Sequence, residues 1–91
     1  METVWKYEFP IGDIFDIRMP KDSSILHIDT QNEVPCMWVL VDDSEECENR
    51  RFRLCGTGHS LADIANECYV HQGSFQMYND SLVFHVFEIG L

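Results

Sequence analysis

Gly56-Thr57-Gly58-His59 follows closely on Arg50, Arg51 and Arg53, and this pairing of a glycine turn with the one basic cluster is where an anion would bind. Glycines let backbone N–H groups approach a phosphate or carboxylate, and guanidinium groups add charge-assisted hydrogen bonds. A nucleotide-like signal held here would draw on Arg50, Arg51, Arg53, Gly56, Gly58 and His59. The motif is much shorter than a Rossmann or Walker fingerprint, and any tight turn leaving a strand needs glycine. On the plainer reading, Arg51 and Arg53 solvate an exposed strand face and pair with nearby acids.

Acidic chemistry is far more abundant. Asp42-Asp43-Ser44-Glu45-Glu46-Cys47-Glu48 places five carboxylates in seven residues, and the whole chain carries 16 Asp and Glu against 6 Lys and Arg, a net charge of −10. Such a run can simply be a solvated connection that protects strand ends from edge pairing. It also offers Asp42, Asp43, Glu45, Glu46 and Glu48 as an anionic face to a basic protein, where long-range steering speeds association and a few desolvated pairs fix register. A nucleic-acid-binding protein is the natural target class. Direct binding of DNA or RNA is disfavoured, because the phosphate backbone would meet repulsion over most of the surface.

No catalytic or metal motif accompanies these charges. His27, His59, His71 and His85 form no H-x-H or H-E-x-x-H arrangement, and His85, between Phe84 and Val86, reads as a hydrogen-bonded core histidine. Cys55 or Ser60 could be drawn with His59 as nucleophile and base, but neither has the strained elbow or supporting acid that activation requires. No enzyme, metal or cofactor is expected. Cys36, Cys47, Cys55 and Cys68 are irregularly spaced and fit reduced thiols in structural roles better than a disulfide framework.

The elements that must position these residues are strands. A chain of 91 residues is one domain, and 45% apolar content is enough for a modest core. Apolar and polar residues alternate in Val4–Phe9, in Phe15, Ile17 and Met19, in Leu26 and Ile28, and in Arg51–Leu54, the period-two signature of half-buried strands. Cys36–Val41 is apolar on both faces, which predicts a central strand, and Ser74–Tyr78, the turn Asn79-Asp80 and Leu82–Ile89 predict a closing hairpin. Ser60 with Asp63 three residues on resembles a capping box that would open two helical turns ending at Glu67 or Cys68. The fold expected is mainly β: a small antiparallel β-sandwich or partly open barrel of about seven strands with one short helix, a single domain over residues 1–91.

No apolar stretch is long enough for a membrane span, and Lys6, Glu8, Asp13, Asp16 and Arg18 are foreign to a signal peptide. A soluble, cytoplasmic protein of a bacterial setting is expected, without membrane contact. The doubly apolar strands Met37–Val41 and Leu82–Phe87 would leave apolar surface uncovered in a monomer, so a homodimer is expected as one solution.

Trp5-Lys6-Tyr7-Glu8, Arg18-Met19-Pro20, Pro35-Cys36-Met37-Trp38 with Val41-Asp42, Gly56-Thr57-Gly58-His59 and Leu82–Glu88 together resemble an uncharacterised family of small proteins of phages and prophage-bearing bacteria. The resemblance runs over nearly the whole chain. It implies an accessory protein that acts on host machinery by stoichiometric binding, as an inhibitor or adaptor on a host protein with a basic surface, such as a defence or nucleic-acid-binding factor. The alternative is a protein that sequesters a small nucleotide-like ligand between protomers, using the arginines or the glycine turn.

Overall fold

A computed structural model describes residues 1–79 and 81–90. Its seven strands are β1 (Glu2–Glu8), β2 (Ile14–Pro20), β3 (Ser24–Gln31), β4 (Val34–Asp42), β5 (Cys47–Gly56), β6 (Tyr69–Met77) and β7 (Leu82–Ile89). They form two antiparallel sheets, one of order β1-β4-β3 and one of order β2-β5-β7-β6. The architecture is a sandwich, as the alternating pattern predicts. In the expected turn Asn79-Asp80, Asp80 lies outside the described residues.

Strand alternation decides which side chains meet between the sheets. Phe15, Ile17 and Met19 of β2 are buried while Asp16 and Arg18 are exposed, and β4 sends Met37, Val39 and Val41 inward. Phe52, Leu54 and Val86 supply the facing layer. A row of aromatics threads this core: Phe9 stacks on Phe15 at 4.8 Å, Phe15 on Phe52 at 5.4 Å, and Phe9 meets Phe75 edge-on at 5.7 Å. Offset and edge-on contacts of this kind add about 0.5–1.5 kcal/mol each beyond simple burial. β4 is the centre of its sheet, as its two-sided apolar run requires.

Two bulges set the seam where β3 and β6 approach one another. One falls between Ile25 and His27, so that Ile28 turns inward while Leu26 is left 54% exposed. The other falls between His71 and Gly73. Gly73 eases the approach there, because a Cβ would sit 3.0 Å from the Ile28 Cβ, tighter than ordinary contact. The hairpin joining β3 to β4 uses Asn32 and Glu33 as its two loop residues, with φ of 53° and 64°, the left-handed pair of a type I′ turn.

The expected two-turn helix is a single 3-10 turn at Ala62–Ile64. Ser60 Oγ does accept the Ala62 N–H at 3.1 Å, but the acid meant to complete the box, Asp63, is drawn away to Arg53. Only Ile64 is buried in that turn, and β6 begins five residues later, so no longer apolar stripe exists to stabilise a helix. Among the described residues, no helix is long and apolar enough to cross a membrane.

Candidate functional site

The acidic segment is tighter than its sequence suggests. Asp42 still belongs to β4 and Cys47 already to β5, so only residues 43–46 connect these two strands. The N-terminal ammonium bridges Asp42 at 2.9 Å and Asp43 at 3.1 Å, and Ser44 closes on Asp42 through its N–H and hydroxyl. These bonds hold the Asp42 carboxyl far below the usual carboxylate range, first through the Ser44 hydroxyl and then through the N-terminus. Glu46 reaches Lys21 at 3.6 Å. Glu45 joins Glu2, Asp22 and Asp42 around a cleft of about 210 Å³ whose apolar wall is Leu40 and Val41, with Lys21 as its one cationic side chain. Glu48 is separated from this group and lines a second cleft.

That second cleft, of about 770 Å³, holds five carboxylates and the guanidiniums of Arg50 and Arg51. Period-two alternation splits the predicted arginine cluster: Arg50 shares the inner side of β5 with Phe52, while Arg51 and Arg53 share the outer side. Arg50 is clamped by Glu88 through two bonds of 2.6 Å and also donates to the Ser23 carbonyl. Arg51 pairs with Asp16 at 2.9 Å. Arg53 pairs with Asp63 at 2.9 Å and donates to the Leu54 carbonyl. Each guanidinium is held above its already high pKa, chiefly by hydrogen bonds to its carboxylate partner.

The glycine turn lies at the far end of β5 from Arg50, about 20 Å away along an extended strand. The His59 ring folds over Gly56, with Cε1 2.9 Å from where a Cβ would sit, so a larger residue there would push that ring aside. Thr57 is turned elsewhere, and its hydroxyl lies 2.8 Å from His85 Nε2. The structure therefore places Gly56, Gly58 and His59 apart from Arg50 and Arg51, leaves Arg53 near the turn with its guanidinium on the Ser60 carbonyl and Asp63, and ties Thr57 to β7. His85 is hydrogen-bonded, as its sequence setting suggests, but on the outer face of its sheet rather than in the core. The candidate pairs around His59 do not form: the Cys55 Sγ contacts the His59 carbonyl, not its ring, and Ser60 Oγ is engaged by Ala62. Among the described residues no three His, Cys, Asp or Glu side chains are grouped so as to hold a metal ion. All four cysteines are free, with Cys36 and Cys55 buried and Cys47 and Cys68 exposed; burial pushes the Cys36 thiol up.

The outer face of the three-stranded sheet carries the second apolar side of the doubly apolar strand Met37–Val41, with Trp38 and Leu40 on it. Val4, 49% exposed, pairs with Leu40, and Lys6 pairs with Trp38, whose other neighbour is His27. The His27 ring leans on Trp38 at 5.7 Å, and Lys6 reaches across the strip to Gln31 at 2.7 Å. With Leu26 on its bulge, this makes an open apolar strip running into the acidic end at Glu2 and Asp42.

These carboxylate contacts predict an acid limb in the stability profile. Asp16, Asp42 and Asp63 all have pKa values lowered in the folded state by hydrogen bonds to Arg51, to Ser44 and the N-terminus, and to Arg53. A lowered folded pKa gives stability that is complete above the unfolded value, about 3.9, and is lost as pH falls through the folded value. Relief of the −10 self-repulsion acts in the opposite sense between neutral pH and about 5. Melting temperature is expected to rise on mild acidification and fall below about pH 4. In Asp42→Asn the fall should be shallower, and a fall identical to wild type would remove Asp42 from the account.

Comparison with curated proteins and with solved structures gives no match. A family model described as a domain of unknown function, DUF7352, matches residues 1–90, and the chain belongs to that family.

Proposed function

We propose that this protein works by stoichiometric binding, docking the outer face of its three-stranded sheet and the adjoining acidic end onto a basic protein. The observation that carries the reading is the continuity of the two surfaces. Val4, Leu26, Trp38 and Leu40 offer an apolar centre, and Glu2, Asp42 and Glu45 edge it on the side where Leu40 enters the smaller cleft. An apolar centre with a charged rim is the anatomy of a protein interface. The rim charge selects the occupant, since a lysine or arginine of the partner would enter the carboxylate-lined cleft while the strip buries apolar area beside it. As a phage-type accessory protein, the chain would use this surface to occupy a basic groove of a host defence or nucleic-acid-binding factor.

Sequestration of a nucleotide-like anion is the weaker reading, because Arg50, Arg51 and Arg53 are each engaged by the chain's own carboxylates. Native mass spectrometry of the tagged chain purified at low salt from a bacterial host separates the two. A retained basic protein, released by salt at a few tenths molar because screening shortens to several ångströms, supports docking. Neutralising Glu45 and Glu46 to Gln should slow its association about tenfold at low salt, and Leu40→Asp should abolish retention. A bare chain, or one carrying a small anion, overturns the docking reading.

A further inference from the structure

Ser74 sits at the centre of a hydrogen-bonded chain on the outer face of the four-stranded sheet. Its Oγ lies 2.8 Å from His85 Nδ1 and 3.1 Å from His71 Nε2, while His85 Nε2 lies 2.8 Å from Thr57 Oγ1. Thr57 Oγ1 is also 3.4 Å from the Val83 carbonyl oxygen, which can only accept. With His85 protonated on Nε2, the Thr57 hydroxyl accepts that N–H while turning its own proton toward Val83, and His85 Nδ1 is the unprotonated nitrogen facing the Ser74 hydroxyl. Ser74 in turn accepts the Nε2–H of His71. The serine thus carries its proton toward a base and receives a second hydrogen bond on its oxygen.

Sheet register builds this arrangement. Ser74 is the direct cross-strand partner of His85, and the bulge before Gly73 brings the His71 ring to 6.3 Å from the His85 ring. Ser74 also lines a groove of about 320 Å³ along the seam of β3 and β6, together with His27, Asp29, Gln76 and Val83. Small-molecule sites begin at about 300 Å³. The groove therefore offers an accessible hydroxyl, a paired base and, in Gln76, an amide donor on its wall.

We propose that Ser74 is a nucleophile, with His85 as its general base, toward an activated acyl ester seated in the seam groove. Ser74 Oγ bonds to the ester carbonyl carbon as its proton passes to His85 Nδ1, and Gln76 supplies an N–H for the oxyanion. Collapse of the tetrahedral adduct breaks the bond to the alkoxide, which leaves with the proton from His85 and gives acyl-Ser74. Water then adds to the acyl carbon, yields its proton through His85 to Ser74 Oγ, and releases the carboxylic acid. Thr57 acts as a positioning residue that fixes the tautomer of the base. Because a hydroxyl and not a carboxylate stands behind His85, the imidazolium is only weakly stabilised, and slow, near-stoichiometric acylation is expected rather than rapid turnover. Ser74 and His85 lie on the other sheet from the proposed docking face, with His27 bordering both surfaces, and the proposal does not rest on docking.

The test is intact-mass and peptide mapping of the full chain after exposure to a fluorophosphonate and, separately, to p-nitrophenyl acetate. With the fluorophosphonate, Oγ–P bond formation expels fluoride and His85 takes the proton. One adduct on Ser74 is expected, absent in Ser74→Ala, slowed about 10²-fold in His85→Ala, and unchanged in Ser81→Ala. Thr57→Val should slow labelling and Thr57→Ser should restore it, which keeps the proposal testable if His85→Ala does not fold. No adduct on the folded chain, an adduct elsewhere, or equal rates in the Thr57 pair would overturn it.

Discussion

Glu88→Ala is expected to lower the free energy of unfolding by about 3–5 kcal/mol, the range for removing one partner of a buried ion pair. The Glu88 side chain is 4% exposed and the Arg50 side chain 16% exposed, and two bonds of 2.6 Å join them in the fork geometry that suits guanidinium to carboxylate. Gln72 adds a third contact to Glu88 at 3.3 Å, and the Ser23 carbonyl takes another Arg50 N–H at 2.6 Å. Deleting the carboxylate leaves a guanidinium in a half-buried site with only the Ser23 carbonyl and the Met19 sulfur as partners. Arg50→Met should cost a similar amount, because it leaves the Glu88 side chain, 4% exposed, with Gln72 in place of its guanidinium partner. The double change Arg50→Met with Glu88→Leu should cost clearly less than the sum, since a buried pair contributes little net stability over apolar residues of the same volume. Urea unfolding of the four proteins gives the coupling directly. Additive losses would mean that the two side chains act separately.

That ion pair also shows what in the sequence was legible and what was missed. Arg50, Arg51 and Arg53 look like one cluster when read as a list. Read with the period of a strand, Arg50 falls on the side of Phe52 and Leu54 and so must face inward, where it needs a buried acid. The same period on β7 puts Glu88 with Phe84 and Val86, the one acid on an inward face of that strand. The partner was therefore within reach of alternation alone, although 38 residues separate the two. Alternation did locate the buried set Phe15, Ile17 and Met19, the central strand β4 and the closing hairpin. It could not locate the bulges, because an extra residue in β3 or β6 leaves the apolar residues in place and only changes which way they point. Leu26 and Ile28 were expected side by side, and the bulge separates them.

The chain through Ser74 was hidden for the same reason. Ser74 to His85 spans 11 residues and Thr57 to His85 spans 28, so only the register across three strands joins them. The glycine turn was read as a possible anion cradle or an ordinary strand exit, and neither reading pointed to Thr57, whose hydroxyl reaches His85. The helix was overestimated because Ser60 and Asp63 satisfy a capping rule locally, while Arg53 on β5 competes for the acid. The acidic run was legible in charge yet not in shape: two of its five carboxylates belong to strands, and they face different clefts.

Phe52→Ala is expected to cost about 3–5 kcal/mol, at the upper end for a core aromatic. Phe52 is fully buried, stacks on Phe15 at 5.4 Å and stands at the centre of β5 between the two strands that flank it. Truncation removes apolar burial, breaks one link of the aromatic row and leaves a cavity that two rigid sheets cannot close. Phe52→Leu, which keeps most of the volume, should cost less than about 1.5 kcal/mol. The difference matters beyond stability, because β5 carries Arg50 on one side of Phe52 and Thr57 just beyond its other end. Loosening the strand should weaken the Arg50–Glu88 clamp and slow labelling of Ser74 together, whereas Thr57→Val should slow labelling and leave the denaturation midpoint nearly unchanged. Thermal melts paired with labelling rates on Phe52→Ala and Phe52→Leu read both effects. A Phe52→Ala protein that unfolds like wild type would show that the aromatic row is not what ties the two sheets together.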